Sequence, residues 1–280
     1  MSTTNNFSIS TLNNYNDLQI KTQYAVIDSR TRSDMASTTD DFSYAFNETL
    51  NITQYVKLIY ASVPNTYYNI NKNNNIFIFN NNGTKLYISL TVGNYNVNSL
   101  SNQIQTAIRN ALGNNNFSVT YNEDQNQYVY TYDNNVNGNF YLDFSENDND
   151  LHSFFGFSGN KAFQMKLING VSKYELISDA VVDMTGCPFI SLYIPEIGNL
   201  NYKYSNNLSF FKNTYLLPIV SGPNNINIYT DKQTWNNTVF FNNNPLKLKK
   251  ITVQFFYFCG SKIYKLDLNG GTVSFVLEYK

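Results

Sequence analysis

The chain has 280 residues, which is long enough for one large all-β domain or two smaller domains with buried cores. Amides and phenols dominate its polar residues, because 48 Asn and 23 Tyr accompany only 14% charged residues, although an AT-rich coding sequence would give the same bias. The net charge of −1 argues against nucleic-acid binding, and the basic run Lys247, Lys249 and Lys250 fits one solvated strand face.

Residues 1–40 are rich in Ser, Thr, Asn and Asp and have few periodic apolar positions apart from Tyr24 to Ile27. We expect an extended arm that either stays disordered or becomes ordered against a partner. The first ten residues lack a basic region followed by an apolar core, so no secretory signal is predicted. No window approaches the roughly 18 uninterrupted apolar residues of a membrane span.

Two strands are predicted between residues 41 and 64. In the first, aromatic residues alternate with small or polar ones at Phe42, Tyr44 and Phe46. The second is apolar from Val56 to Val63 and ends at Pro64.

A hairpin is predicted next, because Asn82-Gly83 supplies the positive φ angles of a tight turn. Its first strand is expected at Ile76 to Phe79. Its second strand carries Leu86, Ile88 and Leu90.

Ser99 to Leu112 is predicted as an amphipathic helix, with Asn98 or Ser99 as its N-cap and Gly113 after its end. Strands are then expected at Phe117–Tyr121, Tyr128–Tyr132 and Phe140–Phe144, followed by a short helix at Asp150–Phe155 that Gly156 ends. This middle block has a ββαββα-like pattern and interrupts the all-β organisation.

Strand character then returns in seven segments: Phe163–Leu167, Tyr174–Ile177, Phe189–Ile194, Thr214–Val220, Ile226–Thr230, Leu246–Phe258 and Thr272–Tyr279. The alternation of apolar and polar residues changes phase between Leu248 and Ile251, which predicts a bulge. The number of strands and the lack of βαβ alternation predict an all-β (mostly β) fold, a β-sandwich or jelly roll. We expect an arm at 1–40, a jelly-roll domain at 41–83 and 161–280, and an inserted small α+β domain at 84–160 carrying the one amphipathic helix.

Candidate catalytic residues are few. His152 is the only histidine, which excludes Ser-His-Asp, Cys-His and multi-histidine metal sites, and we expect it at the polar edge of the short helix. Cys187 and Cys259 follow no metal or redox spacing and are predicted to be buried free thiols. Gly270-Gly271 is interpreted as a hairpin turn between the last two strands, not as a phosphate loop.

Two groups of carboxylates remain as candidates. Asp143, Glu146, Asp148 and Asp150 are spaced like calcium ligands, but the glycine and the distant bidentate Glu of a calcium loop are absent, so a solvated loop is the alternative. Asp28, Asp34, Asp40 and Asp41 would suit glycoside chemistry, but they lie in the predicted arm, where no pocket would raise a pKa. The sequence therefore assigns no catalytic, cofactor-binding or metal residue, and we expect no enzymatic activity.

A family likeness is carried by the order and spacing of seven segments: IDSRTRSD, DFSYAF, VPNTYYNINKNNNIF, VGNYNVNSLSNQIQTAIRNAL, DLHSFFGFSG, KITVQFFYFCG and TVSFVLEY. From about residue 24 onward, the chain resembles the penton (minor capsid) proteins of virophages, polinton-like viruses and related large DNA viruses. In that family, Gly93-Asn94-Tyr95 and Gly156-Phe157 would mark the insertion and act as fold determinants. Trp235 and the Asn-rich loop after it depart from the family pattern.

The resemblance implies a single jelly roll that forms homopentamers at the fivefold vertices of an icosahedral capsid. It implies contacts with the double jelly-roll major capsid protein, with other minor capsid proteins or a host receptor as further partners, and no cofactor. It implies a location in the virion after assembly in the host cytoplasm or virus factory. The alternative is a carbohydrate- or receptor-binding β-sandwich of a virion surface, since aromatic side chains either fill cores and interfaces or stack on sugars.

Overall fold

The computed structural model describes residues 21–146, 151–170, 173–186, 189–197, 214–220, 222, 225–230, 238–241, 245–259 and 262–280. The predictions that concern Cys187, Asp148, Asp150, Trp235 and residues 1–20 lie outside this described part.

The described part of the chain begins with three strands that pack into the first core. They are β1 (Gln23–Asp28), β2 (Asp41–Ile52) and β3 (Tyr55–Pro64), with a short 3-10 helix at Ser29–Thr31 after β1.

Eight strands and two helices follow in the middle of the chain. They are β4 (Ile76–Asn81), β5 (Thr84–Ser89), α1 (Val97–Leu112), β6 (Phe117–Asn122), β7 (Gln127–Asp133), β8 (Phe140–Asp143), α2 (Leu151–Phe154), β9 (Ala162–Gln164), β10 (Lys166–Leu167) and β11 (Lys173–Ile177).

Among the described residues that remain, seven strands complete the fold. They are β12 (Phe189–Tyr193), β13 (Thr214–Pro218), β14 (Ile226–Thr230), β15 (Thr238–Phe240), β16 (Leu246–Cys259), β17 (Lys262–Lys265) and β18 (Ser274–Tyr279), with a 3-10 helix at Pro195–Ile197 after β12.

The first and last groups of strands form a jelly roll from two antiparallel sheets. Sheet 1 has the order β1-β18-β3-β14, with β15 also on β3, and sheet 2 has the order β13-β12-β16-β17, with β2 also on β16. The chain changes sheet from β1 to β2, from β2 to β3, from β13 to β14, from β15 to β16 and from β17 to β18. This alternation between two packed sheets is typical of a jelly roll and confirms the predicted mostly β fold. Within the described residues, neither helix has the length and apolar content of a membrane-spanning segment.

The predicted bulge is confirmed in sheet 2. The register of β16 on β2 shifts between Leu248 and Lys250, so that Leu248 pairs with Leu50 but Lys250 pairs with Ala45. The last strand also packs as predicted, because Val273, Phe275, Leu277 and Tyr279 are all buried in the first core.

The middle strands enclose a second core of their own. Sheet 3 has the order β10-β11-β7-β6 and sheet 4 the order β5-β4-β8-β9, and α1 packs on β6 and β5. Aromatic rings dominate this core, for example Phe157 stacked on Phe163 with centroids 4.0 Å apart and Phe140 edge-on to Tyr174 at 4.6 Å.

The second core extends beyond the limits expected for the inserted domain. The hairpin β4–β5 and the strands β9 to β11 belong to sheets 3 and 4, although we expected residues up to 83 and from 161 onward to lie in the jelly roll. The hairpin joins this unit because β4 pairs with β8, a long-range contact that alternation cannot reveal. We propose limits near Ile70 and Gly186 for the inserted unit, since the second core begins at Ile70 and includes Met184 at its edge.

The expected extended arm is in part a strand of the jelly roll. β1 pairs along its length with β18, and Ile27 and Ser29 are fully buried. Arg32 then holds the following loop by donating hydrogen bonds to the carbonyls of Ser29, Met35 and Ser37. Within residues 21–40, the polar composition therefore reflects a hydrogen-bonded loop and not an unfolded arm.

Helix α1 confirms the predicted helix but begins two residues earlier. Asn96 is the N-cap, because its side chain accepts a hydrogen bond from Ser99 N while the Ser99 hydroxyl accepts one from Asn96 N. Ser99 thus occupies the third position of a capping box and is not the cap itself. Gly113 follows the helix at φ 67°, as expected.

The Gly270-Gly271 turn does not join a hairpin. β17 pairs with β16 in sheet 2, whereas β18 pairs with β1 and β3 in sheet 1, so the turn carries the chain between sheets. A Cβ on Gly271 would lie 2.4 Å from Pro64 Cγ, which makes glycine necessary at this crossing.

Candidate interaction surfaces

The predicted chemical groups do not assemble into a site. Within the parts of the chain that the structure describes, His, Cys, Asp and Glu side chains nowhere gather in threes at metal-binding distances. His152 lies on α2, half-buried, and its Nδ1 has no hydrogen-bond partner there. Lys247, Lys249 and Lys250 are exposed on β16, as expected of a solvated strand face.

The described members of the calcium-like run contact protein groups. Asp143 is buried, and its Oδ1 accepts hydrogen bonds from the backbone N and the hydroxyl of Ser145. Glu146 pairs with Lys85 at 2.6 Å and accepts a hydrogen bond from the Tyr87 hydroxyl.

The four earlier carboxylates have local structural partners or are buried. Asp28 forms an ion pair with Arg30 at 2.6 Å, and the hydrogen bonds from Arg30 lower the pKa of the Asp28 carboxyl. Asp34 caps a turn by accepting from Ala36 N, and Asp41 pairs with Lys265 at 2.5 Å. Asp40 is buried, and desolvation raises the pKa of its carboxyl above the ordinary 3.8.

The outer face of sheet 1 is apolar. On strand β14 the isoleucines face outward and the more polar residues face inward. Ile226 and Ile228 are 60% and 53% exposed, whereas Asn227 and Tyr229 are buried against the first core. The inward Asn227 side chain accepts a hydrogen bond at Oδ1 from Val220 N at 3.0 Å.

The pairing register extends this apolar character across the sheet. Val26, 63% exposed on β1, lies directly opposite Val276, and Val276 lies opposite Tyr60 on β3. We define the apolar face as the outward side chains of Tyr24, Val26, Tyr60, Ile226, Ile228 and Val276.

Polar groups lie within this face and at its borders, since Ser62 and Ser274 occupy the row that joins Ile228 to Asp28. Lys57 and Glu278 are cross-strand neighbours in the row beside Tyr24, and Asp28 lies at the opposite end of β1. Protein interfaces commonly combine apolar and polar side chains in this way.

The outer face of sheet 2 is polar by contrast. Lys247, Lys250, Thr252 and Gln254 project from β16 beside Ser43 and Ala45 of β2. Glu196 is fixed on this face, because its carboxylate accepts hydrogen bonds from Thr252 N and from the Thr252 hydroxyl. The two sides of the jelly roll therefore differ in chemistry.

An asparagine-rich turn joins the jelly roll to the inserted unit. Asn71 Oδ1 accepts hydrogen bonds from Asn73 N and from the Tyr257 hydroxyl, and Asn73 Nδ2 donates to the same hydroxyl at 2.9 Å. Asn74 is buried and crosses the turn, accepting from Asn71 N and donating to the Asn69 carbonyl. The Asn71, Asn73 and Asn74 side chains thus supply hydrogen bonds that the backbone does not make in this turn, and they hold the turn in one conformation.

The two family turns take different positions in the inserted unit. Gly93 pairs with Ile70 by two backbone hydrogen bonds at the entrance to the unit, where Asn94 and Tyr95 both contact Asn69. Gly156 adopts φ 76°, and a Cβ there would lie 2.7 Å from Ser178 Oγ. Their role as fold determinants stays a prediction, which the tight packing at Gly156 supports.

A cleft of about 410 Å³ lies at the junction between the jelly roll and the inserted unit. The asparagine-rich turn forms one wall, and residues around β17 and the following loop form the other. Rings and amides line it: Tyr67, Tyr68, Asn71, Asn73, Tyr257 and Asn269. Sequence reasoning missed this cleft, because its two walls lie almost 200 residues apart.

Comparison with known proteins gives structural matches only. No family model and no curated protein matches the chain. The chain is similar to the crystal structure of the mavirus penton protein, with a TM-score of 0.47, 11% identity, and 92% of this chain and 99% of that chain covered. It is also similar to a chain of the cryo-EM structure of the Sputnik virophage, with a TM-score of 0.42, 11% identity, and 92% and 97% covered.

Proposed function

We propose that this chain is a structural capsid protein, the penton subunit of a virophage-like virus. In this role it forms homopentamers at the fivefold vertices of an icosahedral capsid and contacts the double jelly-roll major capsid protein. It acts through surfaces and not through a catalytic site. The sequence segments described above supply the family, and a single jelly roll is an architecture that viral capsid proteins use.

The apolar face carries this proposal. Sheet 1 already buries one side against sheet 2, yet its other side presents two isoleucines, two valines and two tyrosines in adjacent strands. Isolated apolar side chains are common on surfaces, but a contiguous row such as Val26, Val276 and Tyr60 favours an interaction site. Strand β14 strengthens the point, because Ile226 and Ile228 are both more than half exposed while Asn227 takes the buried position between them.

A neighbouring copy of this chain is the occupant we propose for the apolar face. A fivefold ring is closed by heterologous contacts, so this face must meet a different surface of the next copy. With only 14% charged residues, the chain offers amide and phenol surfaces that can be buried at smaller cost than charges. The polar outer face of sheet 2 then remains toward solvent or another capsid protein.

Negative-stain electron microscopy of the purified chain tests the proposal. Class averages with fivefold rings are the expected result. Particles of a single copy, or of a dimer related by a twofold axis, would count against the penton assignment.

A further inference from the structure

We infer that the cleft at the junction between the jelly roll and the inserted unit binds a neutral carbohydrate. This inference goes beyond the proposed capsid role and does not depend on it. A volume of about 410 Å³ falls within the usual range for small-molecule sites, which often lie where two folded units meet.

Aromatic surface is the first feature that points to a sugar. Tyr68 is 38% exposed at the cleft, with Tyr67 next to it in the chain and the buried Tyr257 in the lining. A tyrosine ring offers an apolar face for the C–H groups of a sugar and a hydroxyl for its polar edge. The Tyr68 hydroxyl makes no hydrogen bond to a described residue, which leaves it available to a ligand.

Fixed amides are the second feature. Asn71 and Asn73 are held by Tyr257, and Asn269 is held by donating from Nδ2 to the Thr66 carbonyl at 2.7 Å. Asn269 keeps its Oδ1 acceptor and its second Nδ2–H for a ligand, a donor and acceptor pair that matches the hydroxyls of a sugar. Because Asn269 is already oriented, little conformational entropy of its side chain remains to be lost on binding.

The charged side chains in the lining of the cleft favour a neutral ligand. Of the lysines in the lining, Lys265 is already paired with Asp41, so Lys72 and Asp267 remain as one charge of each sign. An anionic ligand would face the Asp267 carboxylate, and a cationic one would face Lys72. The aliphatic lining is restricted to Val92 and the buried Leu266, which is too little for an apolar peptide anchor.

A printed array of neutral and anionic oligosaccharides, probed with the labelled full-length protein, tests the inference. We expect binding to a subset of neutral glycans. Saturation-transfer NMR with the best neutral glycan then compares the wild type with Tyr68→Ala, for which we expect an affinity at least about tenfold weaker, equivalent to about 1.4 kcal/mol. Tyr87→Ala is the matched control, because Tyr87 is an exposed tyrosine of the inserted unit outside the cleft, and we expect no change.

Three results would overturn the inference: no glycan bound, only anionic glycans bound, or binding that Tyr68→Ala leaves intact. Tyr68→Ala should retain the far-ultraviolet circular dichroism of the wild type, so that a weaker signal reports the site and not unfolding. Light scattering on the same samples separates the two proposals, since fivefold assembly without glycan binding contradicts only this one.

Discussion

Asn69 and Tyr95 are joined by two hydrogen bonds through one amide side chain. Asn69 Oδ1 accepts from Tyr95 N at 2.9 Å, and Asn69 Nδ2 donates to the Tyr95 carbonyl at 2.8 Å. The Asn69 amide thereby makes the pair of hydrogen bonds to Tyr95 that a neighbouring strand would make. It lies at the entrance to the inserted unit, where Ile70 and Gly93 also pair.

Asn69→Asp is expected to destabilise the protein by about 1–3 kcal/mol, because the carboxylate cannot donate to the Tyr95 carbonyl and places a charge beside it. Urea denaturation monitored by fluorescence measures the change. Asn135→Asp is the control, since Asn135 is exposed in the loop before β8. Equal stability of the two variants would show that the two hydrogen bonds between the Asn69 side chain and Tyr95 do not stabilise the fold.

Gly156→Ala is expected to destabilise the protein by about 2–4 kcal/mol, from backbone strain at φ 76° and from the collision of the new Cβ with Ser178 and Ala180. Gly113→Ala separates the two causes. Gly113 has a similar φ of 67°, but open space surrounds its missing Cβ, so only about 1–2 kcal/mol of strain is expected. Thermal unfolding of both variants makes the comparison, and a Gly156→Ala loss no larger than that of Gly113→Ala would refute the steric argument.

Asp40→Asn is expected to raise the melting temperature near pH 7.5. Burial raises the pKa of Asp40 above 3.8, so the folded state favours the protonated carboxyl. The stability that this proton provides is fully present below the pKa that Asp40 has in the unfolded chain. It is lost as the pH rises through the higher pKa that Asp40 has in the folded protein. The advantage of the variant should therefore shrink as the pH falls toward 4, and melting curves across this range would contradict the account if the advantage stayed constant or grew.

Local patterns predicted much of the fold. The helix α1, the Asn82-Gly83 hairpin and the bulge near Leu248 depend on nearby residues, whose spacing and turn chemistry are visible in the sequence. A second Asn-Gly pair, Asn169-Gly170, also has positive φ angles between β10 and β11, and the same signal could have located that turn.

Long-range relationships could not be predicted in the same way. Alternation located β14, but it could not show that Asn227 and Tyr229 face the core while Ile226 and Ile228 face outward. The apolar isoleucines suggest the opposite orientation, and only the packing of Tyr229 against distant strands decides it. The limits of the inserted unit and the cleft likewise depend on contacts between residues far apart in the chain.

The apolar face supports a prediction about assembly. Ile226→Ser combined with Ile228→Ser should abolish oligomers, because it replaces two of the six apolar side chains of the proposed interface with hydroxyls. The exposed positions themselves should change monomer stability by about 0.5 kcal/mol or less each. Ile76→Ser combined with Ile177→Ser is the matched control, since both isoleucines are about half exposed on the inserted unit, and this variant should assemble like the wild type.

Multi-angle light scattering of the purified full-length protein, together with these two double variants, tests the central claim most directly. The account predicts a mass of about 161 kDa, five times the 32.2 kDa chain, for the wild type and for the Ile76/Ile177 variant, with a monomer for the Ile226/Ile228 variant. A monomeric wild type, or a pentamer that survives the changes at Ile226 and Ile228, would contradict it.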